Sequence, residues 1–176
     1  MKKFSLLLLD ANVVIEISRL GLWTQLVLQC EIWLAQTVID EAEFYVDENG
    51  DRQTIDLTEF IKIRAIRVFE CLPSETKSLR DGFSPGYLGR LDAGETESLA
   101  YLLKQPDNCQ ISSSDQIVFR ILGNLNRSDQ GVSLEEILSK VGLGRKLAWR
   151  FTRDARERWT KEGFTDGLGG VGKIKT

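Results

Sequence analysis

The distribution of apolar and polar positions divides the chain into alternating strands and helices. The near-continuous apolar run Phe4–Leu9 suits a strand buried on both faces, and Asp10 ends it. Asn12 to Leu20 then carries helical periodicity and stops at Gly21, and Leu22–Gln29 reads as a second helix. Glu31–Ala35 is a short strand, and Thr37 is placed as the N-cap of a helix carrying Asp40, Glu41 and Glu43. The Asn49-Gly50 pair signals a β-hairpin turn within 45–57. Ile66–Leu72 is a further strand, followed by a Gly/Pro-punctuated loop over 82–89. Leu91-Asp92-Ala93-Gly94-Glu95 opens a helix running to about Lys104. Cys109–Ser113 is a strand that delivers Ser114 and Asp115 at its end, and Gln116–Leu122 returns as a helix. Such alternation predicts an α/β fold, a parallel sheet covered by helices on both faces.

Beyond residue 127 the pattern turns helical. Ser133-Leu134-Glu135-Glu136 is a capping box opening a short helix that stops at Gly142. A longer helix is expected over Arg145–Glu162, with a loose end over Gly163, Gly167, Gly169, Gly170 and Gly172. The organisation read from this is a body over 1–127 and a basic helical extension over 128–176. From Arg145 onward nine basic residues stand against four acidic ones, whereas the whole chain carries −3. An acidic body with a basic C-terminal segment points to an anionic partner.

Composition narrows the chemistry further. The 176 residues are 42% hydrophobic and 28% charged, which suits a packed domain and excludes a disordered or collagen-like chain. The apolar run behind Met1-Lys2-Lys3 is too short for a signal peptide, and no segment is long enough to span a membrane. Cys30, Cys71 and Cys109 are odd in number and lack metal-binding spacing, so a reducing cytoplasm is the expected compartment. Histidine is absent. That excludes Ser-His-Asp and Cys-His catalysis and leaves carboxylates, hydroxyls, Lys/Arg or a hard cation held by oxygen.

Four acids fall at element ends: Asp10, Glu41, Glu95 and Asp115. In open parallel sheets the functional crevice lies beyond the carboxyl ends of the strands, where Asp10 and Asp115 belong. Taken singly, each acid has a structural explanation as a helix cap or first-turn residue, and Asp92 with Glu95 resembles a capping box. Gathered in one crevice they would repel, and oxygen ligands without histidine would select Mg²⁺ or Mn²⁺ to relieve that repulsion.

The segments LLLLDANVVIEISRLG, TVIDEAE, LDAGETESLAYLL and ISSSDQIVF resemble, in order, the acidic motifs of the PIN-domain family. That family comprises metal-dependent nucleases, many of them VapC-like ribonuclease toxins of toxin–antitoxin pairs. The resemblance runs from about Phe4 to Leu125, with LDAGE its strongest part. It implies a three-layer α/β/α fold with Asp10, Glu41, Glu95 and Asp115 catalytic, and Asp10, Glu95 and Asp115 holding Mg²⁺ or Mn²⁺. Asn12 and Ser113 match polar residues that brace the family's site. Some relatives carry a second acid where this chain has Ser114, which weakens the case for a second metal, and Asp92 is a partial substitute or a cap. The implied activity is hydrolysis of RNA to 5′-phosphate and 3′-hydroxyl ends, with an antitoxin protein as partner and a homodimer as assembly.

The C-terminal segment supports other readings. Two helices joined by a glycine-containing turn resemble a helix-turn-helix DNA reader, although Leu138 stands where that motif wants a small residue. Ala148, Phe151, Ala155 and Trp159 can instead form a packing stripe. Between the two lies an RNA clamp built of Arg150 and Arg153 with Trp149 as a stacking surface. A PIN-like binding module without catalysis is the remaining alternative.

Overall fold

The computed structural model describes Lys2 and residues 4–174. Its centre is a four-stranded, wholly parallel sheet of β1 (Phe4–Leu9), β2 (Cys30–Ala35), β5 (Ile66–Phe69) and β6 (Gln110–Ser112), in the order β5-β2-β1-β6. Helices flank this sheet as the outer layers of an α/β/α fold. Leu7, Leu8 and Leu9 are almost wholly buried, which is why β1 reads as an apolar run rather than an alternating one. β1 registers Leu8 against Trp33 on one side and against Ile111 on the other.

The strand order fixes where a site can form. From β1 the chain winds outward through β2 to β5, then returns to place β6 on the other side of β1. The crevice beyond the carboxyl ends of β1 and β6 is therefore the topological switch point of the sheet. The return path runs through α5 (Pro73–Asp81) and α6 (Ala93–Leu102), and β6 leads directly to α7 (Gln116–Asn124). Helix α5 lies outside the sequence expectation; it starts on Pro73, and Glu75 accepts a hydrogen bond from the Leu72 N–H.

On the near side, α1 (Ala11–Arg19) and α2 (Trp23–Gln29) join β1 to β2, and α3 (Gln36–Glu41) follows. Two differences from expectation occur there. Ala35, not Thr37, is the N-cap of α3, because the Thr37 hydroxyl donates to the buried Glu97 carboxylate instead. Glu41 accordingly sits in the last turn of a six-residue helix rather than the first, and Glu43 lies outside it. The Asn49-Gly50 turn does join a hairpin, β3 (Phe44–Val46) with β4 (Arg52–Thr54), and the short α4 (Thr58–Lys62) precedes β5.

The C-terminal segment departs most. Helix α8 (Leu134–Lys140) is capped by Ser133 as expected. The next helix, α9 (Arg153–Leu168), starts eight residues later than predicted. Thr152 caps it, the Glu135 carboxylate takes the Arg153 N–H, and a short 3-10 turn over Trp149–Phe151 precedes it. The connection from α8 thus lacks the short turn of a helix-turn-helix. Phe151, Ala155 and Trp159 are buried in the common core, whereas Ala148 is exposed.

The expected loose glycines are also packed. A Cβ on Gly163 would stand 1.9 Å from the Arg120 carbonyl oxygen, and one on Gly123 would stand 2.1 Å from that of Thr160. Only glycine permits α7 and α9 to approach this closely. Beyond α9, Ser84 N–H donates to the Gly172 carbonyl and Ile174 N–H to that of Gly82, tying the tail to the 82–92 loop. Lys175, expected to add to the basic tail, lies outside the described residues.

Candidate metal centre

Asp10 and Asp115 close the switch point from its two sides. Asp10 follows β1 and caps α1, accepting a hydrogen bond from the Val13 N–H at 2.8 Å. Its second carboxylate oxygen accepts from the Ser113 hydroxyl and from the Ser114 N–H at 3.1 Å. Asp115 follows β6 and caps α7 through the Ile117 N–H at 3.0 Å. Ser113 links the two, since its hydroxyl oxygen also accepts the Asp115 N–H at 2.9 Å. The structural reading of these acids as caps is therefore right, and it does not compete with their convergence. Capping is what brings each carboxylate to a helix start at the sheet edge.

Glu95 joins them from α6. Asp92 caps that helix, accepting the Glu95 N–H at 2.7 Å, while the Glu95 carboxyl accepts the Asp92 N–H. Glu95 is only 3% exposed. Burial, followed by the charges of Asp92, Asp10 and Asp115, pushes its carboxyl up to about 9, so it holds a proton at neutral pH. Asp10, equally buried, is raised to about 6 by burial. Hydrogen bonds from Ser113, Val13 and Ser114 pull against that burial, and the charge of Asp92 adds to it.

Glu41 reaches the same cluster from the end of α3. Its carboxylate accepts the Gly94 N–H at 3.2 Å, and it too is raised, by desolvation of its carboxyl first and by Asp92 next. Gly94 makes this approach possible, because a Cβ there would meet Glu41 Oε2 at 2.7 Å. The sequence reading passes over Gly94, although a glycine in the first turn of a helix, where alanine would be favoured by about 1 kcal/mol, is itself a sign of a close neighbour.

The other candidates are placed as follows. Ser113 hydrogen-bonds to both Asp10 and Asp115. Asn12 is exposed on α1, and the hydrogen bonds described to Asp10 come from Val13, Ser113 and Ser114. Ser114 contributes its backbone N–H. Arg153 pairs with Glu157 at 2.6 Å, Arg150 lies over the Phe151 ring, and Trp149 packs edge-on against Trp159.

No protein-family model, curated protein or solved structure matches the chain.

The donor set suits a hard divalent cation: carboxylate oxygens, neighbouring hydroxyls and no sulfur or imidazole. Among the described residues no three Asp, Glu, Cys or His side chains are grouped closely enough to hold an ion as they stand. Burial is the first cause of the raised carboxyls of Glu95, Asp10 and Glu41, and the charge of Asp92 adds to each. A cation would take the place of the Glu95 proton.

Proposed function

We propose that the chain is a divalent-metal-dependent ribonuclease of the PIN type. The observation that carries the reading is Glu95, a carboxyl raised to about 9 by burial first and by three neighbouring aspartates next, at the switch point of a parallel sheet. Protein interiors rarely keep such a group without use, and strongly perturbed carboxyls in a crevice favour a functional site over a structural one. Asp10, Glu95 and Asp115 would hold Mg²⁺ or Mn²⁺, with Glu41 at the rim. When bound, the cation supplies positive charge to a phosphoryl oxygen and lowers the pKa of an attacking water. Ser113 and the Ser114 N–H fix the direction of the Asp10 carboxylate, and Ser113 ties Asp115 to the same geometry.

A toxin role, with an antitoxin protein as partner and a homodimer as assembly, extends this proposal on the strength of the family resemblance. No helix among the described residues is long and apolar enough to cross a membrane. Cleavage of a labelled single-stranded RNA with Mn²⁺ tests the reading. Asp10→Asn and Asp115→Asn are expected to lower the rate by at least about 100-fold, a loss of roughly 3 kcal/mol of transition-state stabilisation. Wild-type rates in both variants would refute the site.

A further inference from the structure

Two cavities meet at Arg120. The first, about 320 Å³, is lined by Asp115, by Gln116 and Arg120 of α7, and by Tyr87 and Arg90 of the 82–92 loop. The second, about 440 Å³, lies along α9 over Arg158, Lys161, Glu162 and Asp166, with Arg120 again in its wall. Arg120 lines both, so together they mark a path with Asp115 of the acid cluster at one end and the basic helix at the other.

Charge along this path is not balanced. Glu162 is occupied by Gln116 at 2.8 Å and Arg158 at 3.1 Å, and Asp166 by Arg120 at 2.6 Å and the Tyr87 hydroxyl at 2.9 Å. Arg90 and Lys161 are exposed and make no ion pair with any described residue. The two free cations therefore lie one in each cavity, with the paired Arg120 between them. A single small anion would engage one of them. Engagement of both calls for an extended polyanion, and cavities of this size admit one small-molecule-sized unit at a time rather than a duplex.

We infer that this path is the binding track for single-stranded RNA, with Arg90 and Lys161 each holding a backbone phosphate. The identity of the ligand rests on the ribonuclease reading, while the track itself is tested without any metal. The track runs apart from Arg150, Arg153 and Trp149, none of which lines either cavity.

The test is fluorescence anisotropy of a short labelled mixed-sequence RNA in EDTA across a salt series. Each phosphate contact to a single strand contributes about 0.7 to the log–log salt slope. Arg90→Ala and Lys161→Ala should each flatten the slope by about 0.7, and the double variant by about 1.4, with roughly 10-fold weaker binding at low salt. Arg64→Ala, an exposed arginine beside the opposite sheet edge, should change neither. The track is overturned if the double variant keeps the wild-type slope, if Arg64→Ala loses as much, or if labelled polyglutamate binds through Arg90 and Lys161 while RNA does not. Asp10→Asn separates the two claims. It should abolish cleavage and keep the slope, so an intact slope without any metal response would refute the nuclease reading alone, and metal-dependent cleavage with an unaltered slope in the double variant would refute the track alone.

Discussion

Glu95 and Glu136 occupy the same local position in two helices and meet opposite fates. Each is the third residue of a helix opened by a capping box, Asp92 for Glu95 and Ser133 for Glu136, and each returns a hydrogen bond to its cap's N–H. Burial raises both. At Glu136 the Arg156 guanidinium, at 2.7 and 2.8 Å, together with Ser133, outweighs burial and holds the carboxyl below its ordinary value. At Glu95 the neighbours are Asp92, Asp10 and Asp115, and the carboxyl climbs to about 9. One motif thus serves as a structural clasp in α8 and as a proton-holding group in α6. The difference lies partly in the cap itself, Asp92 against Ser133, and partly in what tertiary structure sets beside each carboxyl.

Removing the counter-charge should have the largest effect on the clasp. Arg156→Ala leaves Glu136 facing the protein without its partner and is expected to cost about 2 kcal/mol, seen as a lower urea midpoint. Glu136→Gln should be destabilising as well. Glu95→Gln should do the reverse and raise the metal-free melting temperature at pH 8, because folding at that pH must protonate a carboxyl that is ionised in the unfolded chain, a cost the neutral amide does not carry. If both glutamine variants shift the midpoint in the same direction, the contrast between the two sites fails.

The same contrast predicts a pH dependence. A carboxyl with a raised folded pKa contributes stability that is complete below its unfolded value and is lost as pH rises through the folded one. Metal-free protein should therefore lose stability between about 4.5 and about 9 through Glu95, with Asp10 adding a share between 3.8 and about 6. Glu95→Gln should flatten the upper part of that profile, and Glu136→Gln should leave it in place. The smallest effect belongs to Gly94→Ala. It displaces Glu41 rather than backbone, so the fold should hold, while the apparent Mn²⁺ affinity falls a few-fold, read by titration of the melting temperature.

How far the sequence discloses this follows from the same physics. β1 is legible because burial on both faces writes itself as an apolar run, and Asp10 and Asp115 are legible because strand ends in a parallel sheet form one edge. Glu41 is recognisable by type, yet its helix turn is not, because the Thr37 hydroxyl that would have capped α3 is taken by Glu97 on another element. The start of α9 depends on Glu135 reaching the Arg153 N–H, which no local pattern encodes. Gly163 and Gly167 suggest looseness in isolation. Against α7 they are the positions where a side chain cannot fit. Arg90 sits in a loop without periodicity, and its role depends on Asp115, 25 positions further along the chain and adjacent only in the fold.

The proposed activity requires that the acids around Glu95 hold a divalent cation. Thermal unfolding of wild type and Asp115→Asn, with and without millimolar Mn²⁺, tests it most directly and needs no substrate. Binding at 100 times the dissociation constant adds about 2.7 kcal/mol, or roughly 5–10 °C for a chain of this size. Because the Glu95 proton must leave, the shift should grow between pH 6.5 and 8.5. A shift present in wild type, larger at the higher pH and absent from the variant is the predicted result. No shift at either pH, or an equal one in Asp115→Asn, would contradict the account.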